Sequence, residues 1–119
     1  LIVLHARYKN LHLTKTTGTK HMARIDPEVM AFLKTGIELV LNHPKEYLET
    51  FIKFLLHLGI EPKLETILAF IAGDMYGAAD LLYLRKYGRN MTDEEKLAFL
   101  DFLTKEWSKI RERLSKIRT

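Results

Sequence analysis

The sequence contains no cysteine among its 119 residues, and this absence excludes disulfide bonds and thiolate metal sites. It also contains no glutamine and only three asparagines, while leucine, isoleucine, lysine, glutamate and arginine are abundant. Proteins that work at high temperature tend to avoid thermolabile amides and to use mixed charge. The composition is therefore thermophile-like, and the lack of cysteine leads us to expect a reducing compartment, the cytoplasm.

No uninterrupted apolar run approaches the ~20 residues that a membrane-spanning helix needs. The longest apolar stretches lie inside Phe51–Ile60, which is broken by Lys53 and His57, and Leu64–Ala72, which ends at Gly73. We therefore expect no association with a membrane.

The first twenty-one residues differ from the rest because they contain four basic residues and no acidic one. They end at the junction of His21 with Met22, and a histidine–methionine pair is what a common cloning site leaves behind. Residues 1–21 are interpreted either as an expression leader or as a native extension. In the second case Leu4–Thr14 could form a hairpin that turns at Lys9 and Asn10. We expect residues 22–119 to form a single helical domain that folds alone.

The charge of the body is balanced. The whole chain has 19 basic and 15 acidic residues, and four of the basic ones lie in residues 1–21. Residues 22–119 therefore contain 15 of each and have a net charge of zero. The overall charge of +4 thus gives no argument that the body binds nucleic acid.

Helix start and stop signals follow one another along residues 22–119. Asp26 with Pro27 combines an N-cap side chain with proline at the first helical position. Pro44 begins a second predicted helix, which runs to about Leu58, and Pro62 begins a third. The sequence predicts an all-α fold, a compact bundle of four or five helices, preceded by the extension described above.

The third predicted helix has an interrupted apolar stripe, whereas the last one begins at a strong start signal. The third could continue to Tyr87, but Gly73 and Gly77 interrupt its apolar stripe. Either the helix breaks near Gly73, or the glycines allow another helix to approach closely. The last helix begins at a capping box formed by Thr92 and Glu95.

The second predicted helix is apolar on more than one face. Such a helix is either central in the bundle or covered by a second copy of the protein. Pairing about a twofold axis is the commonest way to cover it. The residues we assign to this oligomer interface are Tyr47, Phe51, Phe54 and Leu58.

Tyr76, Asp80 and Tyr83 share one face of the third predicted helix, because they are separated by steps of three and four. A carboxylate between tyrosines could bind a ligand or act as an acid or base. The alternative is a helix–helix contact in which Asp80 accepts hydrogen bonds from its neighbours. We favour the alternative, because one carboxylate without a partner base is not a catalytic signature.

The last helix contains the only local excess of basic residues in the body. Lys105, Lys109, Arg113 and Lys116 align along one flank and could meet phosphates. A solvated helix face with ordinary ion pairs explains the same pattern, and we favour that explanation.

No chemical motif accompanies these patterns. His43 and His57 are the only histidines of the body, and neither has a metal ligand at helical spacing. The sequence has no glycine-rich phosphate loop and no nucleophile elbow. We predict no cofactor, metal or catalytic residue. The favoured function is a helical interaction or regulatory module that binds a second copy or another protein, and the alternative is a nucleic-acid-associated protein.

Overall fold

The computed structural model describes residues 24–117 together with Ile2 and Leu13. Within these residues the chain forms four α-helices and no strand. The helices are α1 (Pro27–Asn42), α2 (Pro44–His57), α3 (Leu64–Tyr87) and α4 (Asp93–Ser115). The predicted all-α bundle is confirmed, with four helices. The hairpin considered for residues 4–14 lies outside the described residues, apart from Leu13.

The predicted caps hold the first and last helices in place. The Asp26 side chain accepts hydrogen bonds from the backbone N–H groups of Glu28 and Val29, at 2.9 and 3.2 Å. The Thr92 hydroxyl accepts from the backbone N–H of Glu95 at 3.2 Å, and the Glu95 carboxylate accepts from the N–H of Thr92 at 2.8 Å. Both caps satisfy N–H groups that have no partner inside the helix.

α3 is continuous through Gly73, so the possible break at this residue does not occur. The helix begins at Leu64, two residues later than Pro62. It ends at Gly88, which has a φ of 73° and adopts the left-handed conformation that glycine allows. A methyl group built on Gly73 would meet no atom within 4 Å, so no described neighbour packs closely there. Burial of the opposite side of α3 outweighs the cost of about 1 kcal/mol for a helical glycine.

α3 is the central helix of the bundle. Ten of its side chains are buried, against four on α2, and every helix packs against the other three. Of the two explanations for the apolar α2, a central position is therefore the wrong one. Its inner side chains Leu48, Phe51 and Leu55 are buried, while Phe54 and Leu56 are exposed.

The N-terminal segment reaches the core at Ile2. Its side chain is 5% exposed and lies over Gly36 of α1, where an added Cβ would come within 3.0 Å of it. The backbone N–H of Ile2 donates to the buried carboxylate of Asp74 at 2.8 Å. At least one residue of the first twenty-one thus packs with the helices; whether residues 22–119 fold alone stays a prediction.

Among the described residues one helix, α3, is long and apolar enough to cross a membrane, by length and composition alone. In the sequence this helix is not an unbroken apolar run, because Gly73 and Asp74 interrupt it. Half of its apolar window is buried inside the bundle, which is the pattern of a central core helix.

Candidate functional site

Tyr76, Asp80 and Tyr83 do not converge on one site. Tyr83 is fully buried, and its hydroxyl accepts a hydrogen bond from the backbone N–H of Asp26 at 2.8 Å. Asp80 accepts from the backbone N–H of Met91 at 2.9 Å and from the Asn90 amide at 2.7 Å. Tyr76 is exposed. Asp80 therefore holds the loop between α3 and α4; its partners lie in this loop and not, as the helix–helix alternative expected, in a second helix.

A buried polar cluster joins the start of α1 to the end of α3. The Lys86 ammonium lies 2.8 Å from the Asp26 carboxylate and also pairs with Glu28. The Tyr87 hydroxyl donates to the same Asp26 carboxylate at 2.5 Å. The sequence predicts Asp26 only as an N-cap. Lys86 and Tyr87 lie some sixty positions away, and no local pattern connects them to it.

These contacts set the pKa values within the cluster. Burial alone would raise the pKa of the Asp26 carboxyl, but hydrogen bonds from Lys86, Tyr87 and the Val29 N–H lower it overall. Burial would lower the pKa of Lys86, but its bonds to Asp26 and Glu28 raise it. Burial and the bond to Asp26 raise the pKa of Tyr87 to about 12. All groups are thus held in their ordinary ionisation states, which suits a structural tie better than proton transfer.

A second ion pair joins the loop that follows α3 to the first turn of α4. The Arg89 guanidinium donates to both carboxylate oxygens of the fully buried Glu95, at 2.7 and 3.2 Å. Burial would raise the pKa of Glu95, but the bonds from Arg89 and Thr92 lower it. The Glu95 carboxylate therefore both caps α4 and pairs with Arg89.

The four basic side chains proposed for nucleic acid mostly have acceptors within the protein. Lys109 pairs with Glu106 at 3.2 Å, and Lys116 pairs with Glu112 at 3.0 Å. Arg113 donates to the backbone carbonyl of Leu41 at 3.0 Å.

Lys105 lines a groove of about 320 Å³ between α1 and α4, together with Arg24, Lys34, Asp101 and Glu106. Charges of both signs alternate in this groove, so it does not form a continuous basic stripe.

The residues proposed for the α2 interface divide between core and surface. Phe51 is buried and Tyr47 is half-buried, whereas Phe54 and Leu58 are 44% and 56% exposed. The Phe54 ring packs edge-on against Phe70 of α3, with 5.0 Å between ring centroids. Phe54 therefore borders the outer side of α3.

The outer side of α3 and the adjoining side of α4 form one uncharged surface, which we call the α3–α4 face. The two helices are joined there by the Tyr76–Phe99 ring contact, with centroids 5.9 Å apart. Leu97, at 65%, is the most exposed large apolar side chain among the described residues, and Leu100 is 53% exposed. The face consists of Thr66, Ala69, Phe70, Gly73, Tyr76 and Gly77 on α3 and Leu97, Leu100, Thr104 and Trp107 on α4.

A groove of about 450 Å³ runs along the α3–α4 face at the boundary of the two helices. Its walls are Ala72 of α3 and, on α4, Leu100, Thr104 and the half-buried Trp107. An ion pair bounds it at one end, where the Arg111 guanidinium donates to both oxygens of Glu65, at 2.5 and 2.9 Å. The sequence alone does not reveal this surface, because the relative orientation of α3 and α4 is a tertiary property.

Among the described residues, no group of histidine, aspartate and glutamate side chains is placed to hold a metal ion. Comparison of the chain with models of protein families, with curated proteins and with solved structures found no match.

Proposed function

We propose that this protein is a helical interaction module that self-associates through the α3–α4 face. The observation that carries the proposal is the exposure of Leu97 and Leu100 beside a stretch of α3 that has no exposed charge between Glu65 and Asp80. An uncharged surface that spans two helices is the kind of surface that a protein partner covers. We also propose that the protein works in the cytoplasm.

The energy available from this face is of the right order for a dimer. Full burial of one leucine side chain is worth ~1.5–3 kcal/mol, and each copy contributes two leucines that are already partly covered. Association costs at least ~4 kcal/mol in lost translational and rotational freedom. Leu97 and Leu100 of two copies, helped by Tyr76 and Phe70, offset that cost and predict a dimer of modest affinity.

The other candidate functions receive less support. The basic side chains of α4 are interleaved with Glu106 and Glu112, which would repel phosphates. Asp80 is engaged with the loop that follows α3. The exposed apolar cluster at the end of α2, formed by Phe54, Leu56, Leu58 and Ile60, is a second protein-binding candidate.

The proposal is tested by placing a charge on the face. Leu97→Glu should shift the intact chain from dimer to monomer in size-exclusion chromatography with light scattering. Leu39→Glu is the matched control, because Leu39 is an exposed leucine on α1, away from the face, and is 37% exposed. Both variants should keep their helical circular dichroism spectrum. The proposal fails if Leu97→Glu remains a dimer, or if only a change at Leu58 dissociates the dimer.

A further inference from the structure

We infer that two copies pair with their α3 helices antiparallel and crossing at Gly73, through which the twofold axis passes. This inference rests on the proposed function and adds the geometry of the partner. Gly73 is exposed at the centre of the α3–α4 face and lacks a side chain that would keep another backbone away. Antiparallel pairing also sets the helix dipoles in the favourable orientation.

The sequence of α3 is self-complementary about Gly73. Tyr76 contacts α4 and Phe70 contacts α2, so the two rings lie on opposite flanks of α3. Ala69 shares the flank of Tyr76 and Gly77 shares that of Phe70, because each pair is seven positions apart. A twofold axis perpendicular to α3 at Gly73 exchanges the two halves of the helix and keeps each flank on its own side. Tyr76 is therefore nearest to Ala69 of the other copy, and Phe70 is nearest to its Gly77. Each large ring of one copy meets a small residue of the other, so that the two helices can approach closely without a clash between side chains.

The side of α4 that belongs to the face has the same symmetry, and its charges are complementary. Asp93, Leu97, Leu100, Trp107 and Arg111 follow one another in steps of three, four and seven, so they share one side. The rotation that superposes α3 on its partner brings Leu97 to the groove beside Trp107 of the other copy. It also brings Asp93, at the acidic start of α4, to Arg111 at the opposite end.

Arg111 can pair with Asp93 of the other copy while it keeps its pairing with Glu65. Its pairing with Glu65 uses two guanidinium nitrogens, and both side chains remain largely solvent-exposed. A guanidinium has five N–H donors, so Asp93 of the partner could join the same cation. The face thus ends in opposite charges that match only when the copies run in opposite directions, whereas parallel pairing brings like ends together.

Single cysteines test the geometry, because the chain has none of its own. Gly73→Cys should form an intermolecular disulfide on mild oxidation, since its Cβ meets no atom within 4 Å in one copy. Glu38→Cys, on the exposed side of α1, is the control. Gly73→Cys should crosslink roughly tenfold or more faster than this control, because paired thiols have a millimolar effective concentration.

Ala69→Cys gives the direction. In the antiparallel dimer the two copies of residue 69 lie about 12 Å apart along the axis of the α3 helices, which is too far for a disulfide. Ala69→Cys alone should therefore not crosslink, whereas an equimolar mixture with Gly77→Cys should. A dimer in which Ala69→Cys crosslinks with itself, or in which Gly73→Cys does not, overturns this geometry alone. A chain that is monomeric at every concentration overturns the proposed function as well.

Discussion

Asp26 has two structural roles at the scale of single residues. One carboxylate oxygen caps α1 by accepting from the N–H groups of Glu28 and Val29. The other oxygen accepts from the Tyr87 hydroxyl and lies beside the Lys86 ammonium at the end of α3. Because Asp26 is 1% exposed, this carboxylate ties the first helix to the end of the third inside the protein.

The first prediction concerns acid. The pKa of Asp26 is below its ordinary 3.8 in the folded protein, so its contribution to the free energy of unfolding is present above about pH 4 and lost as the pH falls through the lowered value. Asp26→Asn keeps a good N-cap but leaves Lys86 with less compensation, and should cost about 3 kcal/mol at neutral pH.

Urea midpoints measured from pH 7 to pH 2 check this prediction. The difference between the original chain and Asp26→Asn should shrink steadily at low pH, because the carboxyl is then protonated in the original chain also. A difference that stays constant over this range would contradict the assignment of the ion pair.

The same cluster predicts a loss of stability in alkali. The pKa of Tyr87 is raised from 10.0 to about 12, so its contribution is present below pH 10 and disappears as the pH rises towards 12. Tyr87→Phe should be less stable than the original chain at pH 8 and should show a shallower decline above pH 10. An equally steep decline in the variant would place the alkaline transition elsewhere.

The roles that residues have towards their neighbours in sequence could be predicted, whereas the contacts they make across the fold could not. The caps at Asp26 and Thr92 follow from side-chain oxygens two or three residues before the N–H groups that they accept from. The pairing of Lys86 with Asp26 depends on how α1 and α3 pack. A lysine in the last turn of a helix is ordinarily read as a dipole-compensating surface residue.

At the scale of elements, Gly73 in the middle of α3 and Gly88 at its C-cap have opposite effects on the helix. Gly73 has helical backbone and empty space around it, whereas Gly88 has a φ of 73° and ends the helix. In dilute solution, Gly73→Ala should raise the free energy of unfolding by about 0.5–1 kcal/mol. Gly88→Ala should lower it by about 1–2 kcal/mol, because a Cβ strains the left-handed conformation. Thermal melts distinguish the two, and equal shifts would contradict the structure of the helix end.

The course of α3 could be predicted only in part. Its C-terminus at Gly88 followed from the glycine, but its continuity through Gly73 depends on Ile71 and Met75, whose burial only the fold reveals. The apolar character of α2 suggested a central helix or an interface. In the structure α3 takes the centre, since it is the longest helix and buries more side chains than any of the other three.

At the scale of the whole molecule, Ile2 joins the N-terminal segment to the core. Ile2→Ala should lower the free energy of unfolding by about 2–5 kcal/mol, the cost of emptying a buried site. Ile60→Ala is the matched control; Ile60 is 42% exposed, and the change should stay within about 0.5 kcal/mol. Chemical denaturation measures both, and equal midpoints would show that the helices do not need the Ile2 side chain.

The central claim, self-association through the α3–α4 face, is tested most directly by sedimentation equilibrium on the intact, unaltered chain across micromolar concentrations. The mass should rise with concentration from 13.9 kDa towards twice that value. Gly73→Glu sets two like charges against each other on the twofold axis, so this variant should stay at the monomer mass while remaining helical. A constant 13.9 kDa for the unaltered chain, or a dimer that Gly73→Glu leaves intact, would contradict this claim.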